Sequence, residues 1–261
     1  MTRPYTHSFG RTFTLTAVLV FIAALALVSC RGDKGAESAA KRDTININLG
    51  NEPPSLDWSM ATDVSSYTVL NNIMDGLTQF DAEFRPLPAL AESWTVSEDG
   101  KTYTFKIREG VKWTDGKPLT AGDFEYAWKR LLNPETGADY AYFLYDIVNA
   151  EEYNTGEMND ADKVGIKVVD DGTLEITLKK PAAYFPSLLS FMATYPMRKD
   201  VVEEHGIRWT EPENIVTLGP YRLTSWKHHD HILLTRNGDY WGDKPRIEKV
   251  RIIMNENPSS A

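Results

Sequence analysis

Cysteine occurs once in the 261 residues, at Cys30. A secreted fold stapled by disulfides needs at least two cysteines, so that class of scaffold is excluded. Positive charge is scarce as well. Lys and Arg number 28 against 37 Asp and Glu, for a formal net charge of −9. Phosphate recognition needs a basic surplus, so a nucleic-acid partner is not expected. The chain has one long apolar run, from Phe13 to Val28, interrupted only by Thr14 and Thr16. It is shorter than the roughly 20 residues of a spanning helix. What the chain does have is 42% hydrophobic, 11% aromatic and 25% charged residues. That balance can bury a sizeable core and belongs to a globular protein.

The first thirty residues stand apart. Arg3 and Arg11 are the only formal charges before Cys30. A basic start followed by an apolar run has the form of a signal peptide. The run ends Leu27-Val28-Ser29-Cys30, which resembles the bacterial lipobox, where the thiol is lipidated and becomes the new N-terminus. An ordinary cleaved signal peptide and a short membrane anchor are the competing readings. Removing residues 1–29 takes away two positive charges and leaves −11. Arg31 to Asp43 contains no large apolar residue, so it cannot pack and reads as a tether. Residues 1–29 are therefore assigned as signal peptide, and 30–43 as lipidated cysteine and flexible tether.

Ordered structure should begin at Thr44. Ile45, Ile47 and Leu49 alternate with Asn46 and Asn48, the pattern of a half-buried strand. A helix is expected from about Asp63 to Met74, with Val64, Tyr67, Leu70 or Asn71, and Met74 on its apolar face. Trp94 and Val96 lead into Asp99-Gly100, a hairpin signal, and Tyr103, Phe105 and Ile107 alternate beyond it. Asp115-Gly116 marks a second turn. Thr120 then resembles a helix N-cap with Asp123 in the capping-box position, and Phe124, Ala127, Trp128 and Leu131 form one face. Two strands are expected at 164–169 and 174–178, a short helix at 184–191, and strands at 220–226, 231–235 and 247–254. The fold class is mixed α and β with short strands, without regular βαβ alternation.

Candidate reactive clusters are few. In His228-His229-Asp230-His231, His229 and His231 would share a face of a strand and could reach one ion. The cluster also falls where one strand turns into the next, and solvated turns account for most such runs. No metal or cofactor is therefore expected. Glu203-Glu204-His205-Gly206 lacks the second His of a zinc-peptidase helix. Glu151-Glu152 and Asp170-Asp171 read as solvated charge pairs. No nucleophile, base and orienting group come together, so catalysis is not expected. Seven Trp and twelve Tyr suit ligand pockets and interfaces, although core packing accounts for most of them.

The segment Ala91 to Phe124, AESWTVSEDGKTYTFKIREGVKWTDGKPLTAGDF, closely resembles the signature block of the bacterial extracellular solute-binding proteins of family 5. Gly50 to Asp57, Asn214 to Trp226 and Asn237 to Trp241 extend the match. Trp128 to Tyr140 and Asn214 to Thr217 look most like the family's oligopeptide-binding branch. The resemblance implies a two-lobed, periplasmic-binding-protein-like α/β fold. Its first lobe would take residues 44–74 and 191–261, an extra domain would take 75–190, and a second lobe would follow Met254. The expectation is thus a chain cut short. The implied function is capture of short peptides outside the cytoplasmic membrane for an ABC permease, by a monomer held to the membrane through its lipid. Nickel, a sugar or an opine are alternative solutes within the family. An exported hydrolase, and a peptide-sensing or adhesion lipoprotein on the same fold, are readings outside transport. The resemblance places Thr62, Asp63 and Val64 alongside the peptide backbone, and Tyr140 in the lining of the cleft. Trp58 departs from the pattern, since a proline commonly follows Leu56-Asp57.

Overall fold

A sheet built from the two ends of the described chain and a second built from its middle organise the molecule. The computed structural model describes residues 43–255. The proposed signal peptide, Cys30, all of the tether but Asp43, and the tail after Asn255 lie outside the described residues. Strands β1 (Thr44–Asn48), β8 (Tyr221–Lys227), β9 (His231–Arg236) and β10 (Lys249–Ile253) form the first sheet, in the order β1-β10-β9-β8. Strands β4 (Ala91–Val96), β5 (Thr102–Ile107), β6 (Ile166–Asp170) and β7 (Thr173–Thr177) form the second, in the order β4-β5-β7-β6. A two-strand ribbon pairs β2 (Thr78–Phe80) with β3 (Pro86–Pro88). The helices are α1 (Val64–Ile73), α2 (Ala121–Leu132), α3 (Ala150–Asn154), α4 (Phe185–Leu188) and α5 (Lys199–His205). Among the described residues, no helix is long and apolar enough to cross a membrane.

The second sheet follows its local signals. Between β4 and β5, Gly100 takes φ +72, a left-handed conformation that glycine adopts without steric cost. Asp99 braces the turn by accepting from Ser97 Oγ at 2.5 Å and from the Lys101 N–H at 3.2 Å. Trp94 lies opposite Phe105, and Phe105 opposite Leu174. Tyr103, Phe105, Leu174 and Ile176 are buried together. Helix α2 covers this face with Phe124, Ala127, Trp128 and Leu131, all of them buried. Asp123 accepts the Thr120 N–H at 2.9 Å, satisfying one backbone donor at the helix start. The Trp128 indole N–H donates to the Thr194 carbonyl at 2.8 Å.

Three expectations need correction. Strand β1 forms, but Ile45 and Ile47 remain 41% and 39% exposed at the edge of their sheet. Helix α1 forms with Asp63 as its cap, yet it buries Ser66, Val69, Leu70 and Ile73. Leu70 and Met74 are buried as expected, but Val64 and Tyr67 point to the surface, so the buried face is rotated from the one that apolarity alone suggests. The helix expected at 184–191 is a single turn, α4, followed by a 3₁₀ turn at Met192–Thr194.

Candidate functional site

Asp57 fixes the segment that leads into α1. Its carboxylate accepts two hydrogen bonds from the Arg130 guanidinium, at 3.0 and 2.6 Å. It also accepts the Ser59 N–H at 3.0 Å and the Trp209 indole N–H at 3.3 Å. The Asp57 carbonyl takes the N–H groups of Met60 and Ala61, both at 2.8 Å. Two residues distant in sequence, Arg130 and Trp209, are thereby tied to one short loop. Trp58, the departure from the resembled pattern, is buried with its ring edge-on to Trp209, 4.6 Å between centroids.

From this anchor the chain runs through Thr62 to the cap of α1. Asp63 Oδ1 accepts the Ser66 N–H at 2.9 Å, and Oδ2 accepts Ser66 Oγ at 2.6 Å. The Tyr140 hydroxyl donates to the Thr62 carbonyl at 3.1 Å. The structure thus brings all four sequence-predicted contact residues together. Thr62, Asp63, Val64 and Tyr140 line one cavity of about 190 Å³ with Tyr67, Phe191 and Met192. Among the described residues, the backbone N–H groups of Thr62 and Asp63 find no protein acceptor. Asp63 is extended (φ −110, ψ 161), and open donors on extended backbone can pair with another main chain in the manner of an added strand.

Tyr67, Phe191 and Met192 were not anticipated as site residues. Tyr67 had a signal, because it lies three positions after Val64 on the same helix and so shares its face. Phe191 follows α4 and carries no local signal at all. A larger cavity of about 540 Å³ lies beside Met60, Tyr126, Lys129, Arg130 and Tyr153. Its cations are already engaged, Arg130 by Asp57 and Lys129 by Glu125 and Asp162 at 3.0 and 2.8 Å. It offers no open backbone donors comparable to those of Thr62 and Asp63.

The histidine cluster belongs to a different contact. His229 sits in the β8–β9 turn at φ +60, so it does not share a strand face with His231. His228 Nδ1 and His229 Nδ1 both meet the Glu52 carboxylate, at 2.6 and 2.9 Å. The Trp226 indole N–H and the His229 backbone N–H also donate to Glu52, at 3.0 and 3.1 Å. His231 lies 3.4 Å from Asp230 instead. Among the described residues, no group of three candidate ligands converges on a metal position. Partial burial pushes the Glu52 carboxyl up, but the hydrogen bonds from His228, His229 and Trp226 outweigh it and hold it below its ordinary value of 4.5.

A depressed carboxyl stabilises the fold above its unfolded pKa, and that contribution is lost as pH falls through the folded value. Glu52→Gln should therefore lower stability by about 1 kcal/mol near neutral pH. The difference from wild type should vanish in the acid range below the lowered pKa. Urea unfolding of both proteins across that range checks this. A difference that is constant with pH would rule it out.

The site is thus a backbone edge with open N–H donors beside an aromatic-lined cavity, on a mixed α/β scaffold. Residues 85–261 match the model of the bacterial extracellular solute-binding proteins, family 5 Middle. The chain belongs to that family. It is 43% identical over 227 residues to the dipeptide-binding protein DppE of Bacillus subtilis, covering 85% of this chain and 42% of the relative. The substrate-binding domain of an oligopeptide ABC transporter from Bacillus anthracis superposes with a TM-score of 0.81 at 40% identity, over 84% of this chain and 42% of that one. OppA of Haemophilus influenzae, in complex with the peptide RPPGFSPFR, gives 0.79 at 35% identity, over 84% and 43%. The chain therefore spans less than half the length of each of these relatives. Both the family and these relatives are defined by binding rather than by catalysis.

Proposed function

We propose that the protein captures short peptides outside the cytoplasmic membrane and passes them to the permease of an ABC importer, without chemistry. The observation that carries this reading is the Thr62–Asp63 backbone, with open N–H donors beside an aromatic notch. Main-chain hydrogen bonds are common to all peptides, so such an edge binds many sequences. The names of the relatives support peptide as the ligand. In this reading Thr62, Asp63 and Val64 run along the bound peptide, and Tyr140 lines the cleft while holding the Thr62 carbonyl. Residues 44–74 and 191–261 contribute the ligand-facing lobe, and 75–190 the extra domain. Calorimetric titration with a mixed pool of short peptides should give saturable heat. Saturation by nickel or a sugar with none by peptides would replace the ligand, and turnover of a peptide would replace the binding-only role.

Anchoring is the second part of the proposal. Lipidation of Cys30 would hold the receptor at the membrane as a monomer beside its permease. A Cys30→Ser variant is expected to lose labelling by a fatty-acid analogue and to leave the membrane fraction. Retention of both would remove the lipoprotein assignment.

A further inference from the structure

We infer that the cavity beside the Asp57 loop, walled by helices α2 and α3, is a second binding site that takes a neutral saccharide. It stands apart from the peptide-binding reading, because its lining shares no residue with the notch beside Thr62–Val64. Met60 lines it from the loop, Tyr126 from α2, Asn133 and Thr136 from the turn that follows α2, and Tyr153 from α3. Its volume of about 540 Å³ lies within the roughly 300–1,000 Å³ of small-molecule sites, so it holds a molecule of about disaccharide size.

The charges around this cavity disfavour an ionic ligand. Lys129 lies between Glu125 and Asp162, at 3.0 and 2.8 Å, and Arg130 is held by both oxygens of Asp57. An anion would have to displace one of these carboxylates and strand it. A cation would meet Lys129 and Arg130 in the lining. Glu135 also lines the cavity but is exposed, where water screens its charge.

What remains open is neutral. Among the described residues, the hydroxyls of Tyr126, Tyr153 and Thr136 make no hydrogen bond to protein. The Asn133 Oδ1 accepts the Glu135 N–H at 3.0 Å, which leaves its amide N–H groups free. Each hydroxyl can donate and accept, and the amide donates. Sugar hydroxyls also do both, while the C–H face of a sugar ring packs on aromatic rings and thioethers such as Met60. Burial pushes the Tyr126 hydroxyl pKa up, so this group is partly withdrawn from water. A withdrawn hydroxyl without a partner gains from a ligand that supplies one. The walls are already in place, since Asn154 Nδ2 donates to the Leu132 carbonyl at 2.9 Å and ties α3 to the end of α2. Little ordering is left for a ligand to impose.

The test titrates the full-length protein with maltose, cellobiose and N,N′-diacetylchitobiose, read by saturation-transfer NMR, with glucose 6-phosphate as the charged comparison. At least one disaccharide should bind saturably, glucose 6-phosphate should not, and a mixed pool of short peptides should displace nothing. Tyr126→Phe combined with Tyr153→Phe keeps both rings and should weaken the saccharide about tenfold. Thr136→Ala, in the turn, is an independent variant and should weaken it about threefold. Thermal unfolding followed by circular dichroism verifies the fold of both. No binding by any disaccharide, equal binding of glucose 6-phosphate, or affinities unchanged in the folded variants would each overturn the site. Displacement by peptides would place the saccharide in the peptide cleft and overturn it too.

Discussion

Replacing Asp57 with alanine should destabilise the protein by about 3–4 kcal/mol, the range for breaking a largely buried ion pair from one side. Asp57 and Arg130 keep only 14% and 20% of their side-chain surface in water. Removing the carboxylate strands the guanidinium, the Trp209 indole N–H and the Ser59 N–H together. Each buried donor left unpaired costs about 1–3 kcal/mol, and shared relaxation keeps the total below their sum. Pairing Asp57→Ala with Arg130→Met removes the stranded charge, so the double variant should be more stable than the single one. Urea denaturation of the four proteins of this cycle reads the effect. A loss under about 1 kcal/mol, or a double variant less stable than Asp57→Ala, would show that Asp57 does not organise the loop. Because that loop continues into Thr62 and Asp63, peptide affinity should fall alongside stability.

The parts of this molecule that sequence made legible are those written in neighbouring residues. Asp99-Gly100 and the alternation around it announce a hairpin because the turn and the period of two are local. Helix α2 is legible for the same reason, with Thr120 and Asp123 at its start and a periodic face behind them. Helix α1 shows where this fails. Val64 and Tyr67 are apolar at helical spacing and so imitate a core face, but they face the notch, and the helix buries Ser66, Val69, Leu70 and Ile73 instead. Apolar residues that line a surface cavity are indistinguishable by period from apolar residues that pack a core. The β2–β3 ribbon was missed because Pro86 and Pro88 argue against a strand. They are accommodated because this ribbon has only two strands and so consists of edges. The Asp57–Arg130 pair spans 73 positions, and Phe191 reaches Tyr140 across 51 (191 less 140). Neither leaves a trace in any local pattern. Thr62, Asp63, Val64 and Tyr140 were legible only through the family resemblance.

Gly219→Ala should cost at least about 3 kcal/mol, at the upper end for inserting one methyl group into a packed interior. The reason is a close approach of two backbones. Gly219 donates its N–H to the Ile73 carbonyl at 2.8 Å, where the end of α1 meets the start of β8. A Cβ at residue 219 would fall 2.3 Å from the Ile73 carbonyl carbon, 2.5 Å from the Met74 nitrogen and 2.7 Å from the Ile73 oxygen. All three are main-chain atoms, so no side chain can swing away to make room. Ile73 and Met74 are themselves buried, so the helix end cannot retreat without opening the core. Helix α1 is ten residues long, about 15 Å from end to end. A shift forced at Ile73 would therefore be carried to Val64 and Tyr67 at the notch, and peptide binding should weaken with stability. Gly238→Ala is the matched control, because a Cβ there meets nothing within 4 Å, and its effect should stay within about 0.5 kcal/mol. Thermal and urea unfolding of the two variants decide the matter. Similar small losses in both would mean that the α1–β8 junction yields easily, and that Gly219 is not the close-packing point on which the position of α1 depends.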